Sequence, residues 1–115
     1  VTTDLCTDAG SGTEPSGGAY ARVAVASSLA NWSGTQSAGS TVASTGTGGT
    51  VSNNVAITFP ESTAAWGNVQ AVRWYDASTA GSPWICIDLA SPWNVAGAGV
   101  TLKFNASALQ FQIDN

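Results

Sequence analysis

A chain of 115 residues with 43% hydrophobic side chains is long enough for one packed domain, but only 9% of its residues are charged, against roughly a quarter in ordinary soluble domains. Three basic residues against seven acidic ones leave a net charge of −4, too few cations to neutralise many nucleic-acid phosphates, and no apolar run approaches the roughly 20 residues of a membrane span. There is no His, so the commonest general base and transition-metal ligand is missing, and composition argues against an enzyme and against a bound cofactor.

The chain opens at Val1 and holds no Met, so its translational start is expected to lie upstream. A weak apolar run over residues 1–6 is followed by a Gly/Ser/Thr-rich stretch at 8–18. Residues 20–26 alternate Tyr20, Arg22 and Ala24 against Ala21, Val23 and Val25, which predicts a strand. Residues 33–50 are almost wholly Ser, Thr, Gly and Ala, and read as a long loop with a weak strand signal at 41–43. Val55, Ile57 and Phe59 then share one face of a strand. Pro60 followed by Glu61, Ser62, Thr63, Ala64, Ala65 and Trp66, with Gly67 as a left-handed stop, predicts a short helical turn near 61–66.

Two further strand runs cover residues 69–75 and 84–89, joined by the turn-rich segment 76–83, most simply as a hairpin. Leu102 and Phe104, then Leu109, Phe111 and Ile113, alternate with polar neighbours to the end of the chain. The pattern predicts an all-β protein: an antiparallel β-sandwich, or a related barrel, of about eight short strands in a single domain over residues 1–115, with the long loop at 33–50.

Few residues are placed for chemistry. Asp76 and Asp88 could face each other across the hairpin as a glycosidase needs, but Asp76 opens a turn and Asp88 suits the wet face of a strand. Asp4, Asp8 and Glu14 offer hard oxygen ligands at spacings that match no calcium loop. No catalytic, cofactor-binding or metal-ligating residue is therefore assigned. Cys6 and Cys86 are the only thiols and allow one disulfide, worth about 3–5 kcal/mol in the chain-entropy model; the alternative is two small hydrophobes on strands.

The five tryptophans carry the main functional signal. Trp66 reads as a core plug behind the helical turn. Trp74 and Trp84 flank the hairpin and would form an aromatic pair if they stand opposite each other. Trp32 and Trp93 fall at strand ends and are the two expected to be exposed. Trp32, Trp93, Trp74 and Trp84 are thus the candidates for an interface or for stacking on a ligand.

Gly18-Ala19-Tyr20-Ala21-Arg22, Asn53-Asn54, Ile57-Thr58-Phe59-Pro60, Ala65-Trp66-Gly67-Asn68-Val69 and the closing set Val95-Ala96-Gly97, Val100, Leu102, Phe104 and Leu109 resemble a family of small virion proteins of tailed bacteriophages, tail-fibre-like or capsid-decorating. The likeness runs from about Tyr20 to the carboxyl end. The chain departs from that family in the insert at 33–50 and in Trp74 and Trp84. Family members usually carry a helical lead-in before the first strand, which is expected to be missing or absent where the sequence begins at Val1.

The resemblance implies a non-enzymatic structural protein of the virion, first a capsid decoration (cement) or head-fibre protein, next a tail or receptor-binding component. The expected partners are copies of itself, as a homotrimer, and other virion proteins such as the major capsid protein, with a host-surface glycan for a receptor-binding role. Nucleic acid and membrane are not expected as partners. A secreted carbohydrate-binding module, extracellular and using exposed Trp, is the rival that composition alone also suits.

Overall fold

The computed structural model describes residues 3–7, 12–28, 30–33 and 50–112. Seven strands lie among them: β1 (Trp32–Ser33), β2 (Thr50–Asn53), β3 (Ile57–Thr58), β4 (Gly67–Tyr75), β5 (Pro83–Val95), β6 (Lys103–Phe104) and β7 (Gln110–Gln112). Every pairing is antiparallel, in three small sheets ordered β1-β2-β7, β3-β6 and β4-β5. The all-β antiparallel class is the one the period-2 pattern predicts. Residues 41–43 and most of the Ser/Thr-rich stretch lie outside the described residues.

The chain forms two compact units, Val1–Val23 with Phe59–Leu102 and Ala24–Thr58 with Lys103–Asn115. The first is built on the β4–β5 hairpin, with Val69, Ala71, Val72, Val95, Leu102, Phe59 and Trp66 buried. Strand β4 is buried at three consecutive positions, Ala71, Val72 and Arg73, so it is covered on both faces where simple alternation would leave one face wet. The hairpin register shifts twice. Residues 89–92 of β5 stand against Gln70 alone, between the pairs Val69↔Trp93 and Ala71↔Asp88. Pro92, which has no N–H to give a ladder, falls in that bulge.

The expected helical turn at 61–66 does not form, and the hydrogen bonds say why. An α-turn would need Trp66 N–H on the Ser62 carbonyl. Instead Trp66 N–H donates to Val95 O at 3.0 Å, and the Ser62 carbonyl accepts from Gly99 N–H at 2.7 Å. Ser62 N–H goes to Val100 O (2.8 Å) and Thr63 N–H to Gly18 O (2.9 Å). The N–H groups of Ser62, Thr63 and Trp66 are thus all taken by residues far away in sequence, and the Ser62 hydroxyl joins in by donating to Gly97 O (2.6 Å) and accepting from Val100 N–H (3.0 Å).

Residues 20–26 also differ from expectation, since they join no strand ladder. Their alternation serves side-chain contacts instead. Tyr20 stacks on Phe59 (centroids 6.2 Å, 13°) and meets Trp66 edge-on (5.3 Å, 84°). Gly18 passes so close that a Cβ there would lie 2.9 Å from the Trp66 Nε1, which itself donates to Gly18 O at 2.9 Å.

The second unit closes around Asn53, which is fully buried at the end of β2. Its amide nitrogen donates to Val55 O (2.8 Å) and Asn105 O (2.9 Å), and its amide oxygen accepts from Leu109 N–H (2.9 Å). Its backbone N–H reaches Leu109 O (3.2 Å), and its carbonyl accepts from Ser107 N–H (2.7 Å). Ile57, Phe104 and Leu109 are buried in the same unit, in line with the alternation read from the sequence.

Candidate functional site

Hairpin β4–β5 presents the largest exposed ring of the described residues. The pairs Trp74↔Ile85 and Tyr75↔Pro83 leave Trp84 as the extra residue of the second register shift, and its side chain is 76% exposed. A bulge re-aims a side chain in this way. The aromatic pair of Trp74 with Trp84 is therefore not made, because Ile85 holds the place opposite Trp74. Trp93 on the same strand is also exposed, at 38%, and Trp74 is half-buried. Most of β5 faces solvent, with Ala90, Ser91 and Pro92 exposed beside Trp93.

Trp32 corrects the sequence reading. It was expected at an exposed strand end, yet it is 8% exposed and meets Phe111 edge-on at 6.4 Å. Strand β2 lies between β1 and β7, so Trp32 and Phe111 close over it as neighbours across one central strand. Of the four candidate rings, Trp84 and Trp93 are exposed, Trp74 is intermediate and Trp32 belongs to a core.

Beside Trp84, the turn of the hairpin is fastened from outside. Asp76 Oδ1 accepts from Ser82 N–H (2.8 Å), which closes the turn. Arg22 then reaches that turn, its Nη1 donating to Ala77 O (2.9 Å) and Ala80 O (2.7 Å). The other edge of the same guanidinium forms a two-pronged pair with Glu14, Nε to Oε1 and Nη2 to Oε2, both at 2.7 Å, and its plane lies 3.6 Å from the centre of the Tyr75 ring. Tyr20 donates its hydroxyl to Glu14 Oε1 at 2.7 Å.

These contacts set the ionisation. Arg22 holds the Glu14 carboxyl below its ordinary value, with Tyr20 adding to the effect against the cost of burial. Burial first, then Glu14, pushes the Tyr20 phenol well above its ordinary value. Charges used in this way brace a loop.

The remaining acidic candidates are engaged too. Asp88 Oδ1 accepts from Cys6 N–H (2.7 Å) and lies opposite Ala71, while Asp76 caps the turn, so the two do not face each other. Asp4 accepts from Thr13 N–H (2.5 Å), and the Thr13 side chain first, then this backbone bond, holds its carboxyl below the ordinary value. Asp8 lies outside the described residues. No three potential metal-ligating acids or thiols gather among the described residues, and no helix there is long and apolar enough to cross a membrane.

Cys6 and Cys86 form a disulfide, with Cα atoms 5.8 Å apart and a sequence separation of 80. The sequence reading did not find the functions of Asn53, Ser62, Arg22 and Glu14. Most of their partners lie 8–58 positions away, beyond any local pattern.

A small all-β protein that uses its buried polar groups to pin loops, and sets an aromatic ring out in solvent, has the form of a structural subunit. The chain belongs to the family described as Podophage GP4 fiber I protein gp80, whose model matches residues 1–112. It is a small fibre-like virion protein of a bacteriophage. The match takes in the first 17 residues, which the resemblance read from the sequence did not cover. No curated protein and no solved structure matches the chain.

Proposed function

We propose that the chain is a non-enzymatic head-fibre or capsid-decoration subunit that works as a symmetric homotrimer, bound to the shell through aromatic contacts. The family match over residues 1–112 carries this reading. It favours a virion over a secreted carbohydrate-binding module. The physical support is the combination of 9% charged residues with Trp84 at 76% and Trp93 at 38% exposure. Such a face can be covered without stranding unpaired charges, and Trp is the side chain most enriched at binding hot spots.

The test is antibody-gold labelling of particles, with light scattering of the isolated protein and of its Trp84→Ala variant. Label on the head, a trimer for the native chain, and a folded variant with at least tenfold weaker association are the expected results. A soluble monomer at high concentration with no particle label would overturn the reading. The exposed ring of Trp84 also favours a second reading, a receptor-binding tip that stacks on sugar. Label at the tail, with glycan binding lost in the same variant, would select it.

A further inference from the structure

The amino-terminal segment is laid across the β4–β5 hairpin by hydrogen bonds as well as by its covalent bond. Gln70 Nε2 on β4 donates to Thr3 O (2.5 Å), and Cys6 N–H donates to the Asp88 carboxylate on β5 (2.7 Å). Thr3 N–H is in turn tied to Thr13 O (2.9 Å), and Thr13 N–H to Asp4 (2.5 Å). Cys6 is thus seated over β5 by its own backbone, two residues of the strand away from Cys86. Both cysteines are only half-buried, so a small thiol or disulfide can reach them.

A phage virion protein is made in the host cytosol, where thiols are kept reduced, and works on a particle that leaves it. We propose that Cys6 and Cys86 are a redox-timed latch: the chain folds and mounts on the particle as the dithiol, and the bond closes after release, locking the amino-terminal segment onto the hairpin. The inference rests on the virion location and on the hydrogen bonds that hold the segment against β4 and β5 in addition to the bond.

The oxidant is a small-molecule disulfide such as oxidised glutathione. One protein thiolate attacks it and forms a mixed disulfide, releasing one glutathione thiolate. The second protein thiolate then attacks the protein sulfur of that mixed disulfide, forming Cys6–Cys86 and releasing the second glutathione. Two protein thiols lose two protons and two electrons, and one disulfide becomes two thiols.

The test begins with acid quenching and maleimide trapping of the protein in cytosolic expression cells, followed by mass measurement. The same protein is then treated with oxidised glutathione and compared, with and without dithiothreitol, by thermal melting and limited proteolysis. The Cys6→Ser/Cys86→Ser double variant is carried through each step. The expected results are two maleimides per chain in the cell and a folded dithiol with native-like circular dichroism. Closure should raise Tm by on the order of 10 °C or more and slow cleavage of the amino-terminal segment at least tenfold.

The double variant should match the dithiol and ignore the oxidant. A bond already present in the quenched cells would overturn the proposal. So would an unfolded dithiol, or oxidised and reduced forms with equal melting and proteolysis. Particle labelling of the native chain, measured separately, reports on the virion reading itself.

Discussion

The two compact units of this chain are held by opposite means. In the unit of residues 1–23 and 59–102 the fastening is distributed: a disulfide, a two-pronged Arg22–Glu14 pair, an aromatic cluster of Tyr20, Phe59 and Trp66 and the Ser62 hydroxyl. In the unit of residues 24–58 and 103–115, five strands of two to four residues are tied together by one neutral side chain, Asn53. Short strands supply few ladder hydrogen bonds, so a fully satisfied buried amide takes over part of the work of a sheet. The difference implies that the second unit fails at a single point, whereas the first loses its fasteners one at a time.

The strongest way to break that comparison is Asn53→Ala. It leaves Leu109 N–H, Val55 O and Asn105 O without the side-chain partner each now has. Buried groups so deprived cost about 1–3 kcal/mol each, so a loss of about 4 kcal/mol is expected once partial relaxation is allowed for. Urea unfolding measures it, and hydrogen exchange locates it. The amides of Ser107 and Leu109 should lose protection first, while β4 amides keep theirs. Equal loss in both units would show that the second unit does not open at one point.

The first unit should show a smaller effect that depends on pH. Glu14 ionises more readily in the folded protein than its ordinary value of 4.5, chiefly because Arg22 holds it. The lowered value means that the pair's contribution is full above pH 4.5 and is lost as pH falls through the folded-state value. Glu14→Gln is expected to cost about 1–2 kcal/mol at neutral pH and to flatten the acid limb of the stability profile below pH 4.5. Chemical denaturation at a series of pH values checks it. An unchanged acid limb would mean that Arg22 braces the hairpin turn through Ala77 and Ala80 alone.

The same contrast explains how far the sequence could be read. Alternation identified Leu102, Phe104 and Leu109 as core residues and placed a hairpin between the runs at 69–75 and 84–89, because burial on one face of a strand leaves a period of two. It misread residues 20–26 and 61–66, where backbone and side chains are taken up by contacts with distant loops instead of neighbours in sequence. The Trp rings divide in the same way. Trp66 reads correctly as core. The exposure of Trp84 depends on a one-residue register shift and the burial of Trp32 on Phe111, 79 positions away, and neither leaves a local trace. The residues that carry the family likeness, Gly18, Tyr20, Trp66 and Asn53, turn out to be packing and pinning residues. That is why the likeness speaks to the fold more directly than to the site.

The smallest expected effect sharpens the comparison where each fastening is strained. Ala80, whose carbonyl accepts from Arg22, has φ 51°, and Ser107, whose N–H donates to the Asn53 carbonyl, has φ 66°. The left-handed region costs a side chain roughly 1–2 kcal/mol that glycine avoids. Glycine adds back about 0.4–1 kcal/mol by loosening the unfolded chain. Ala80→Gly and Ser107→Gly should therefore each stabilise by less than about 1 kcal/mol. If the second unit does hang on Asn53, the gain from Ser107→Gly should vanish in the Asn53→Ala background, because the loop it relieves has already let go. The gain from Ala80→Gly should persist there, since its loop is tied to Arg22. A double-mutant cycle in urea measures both, and a Ser107→Gly gain that survives the loss of Asn53 would show that the loop at 105–109 is held by something other than that amide.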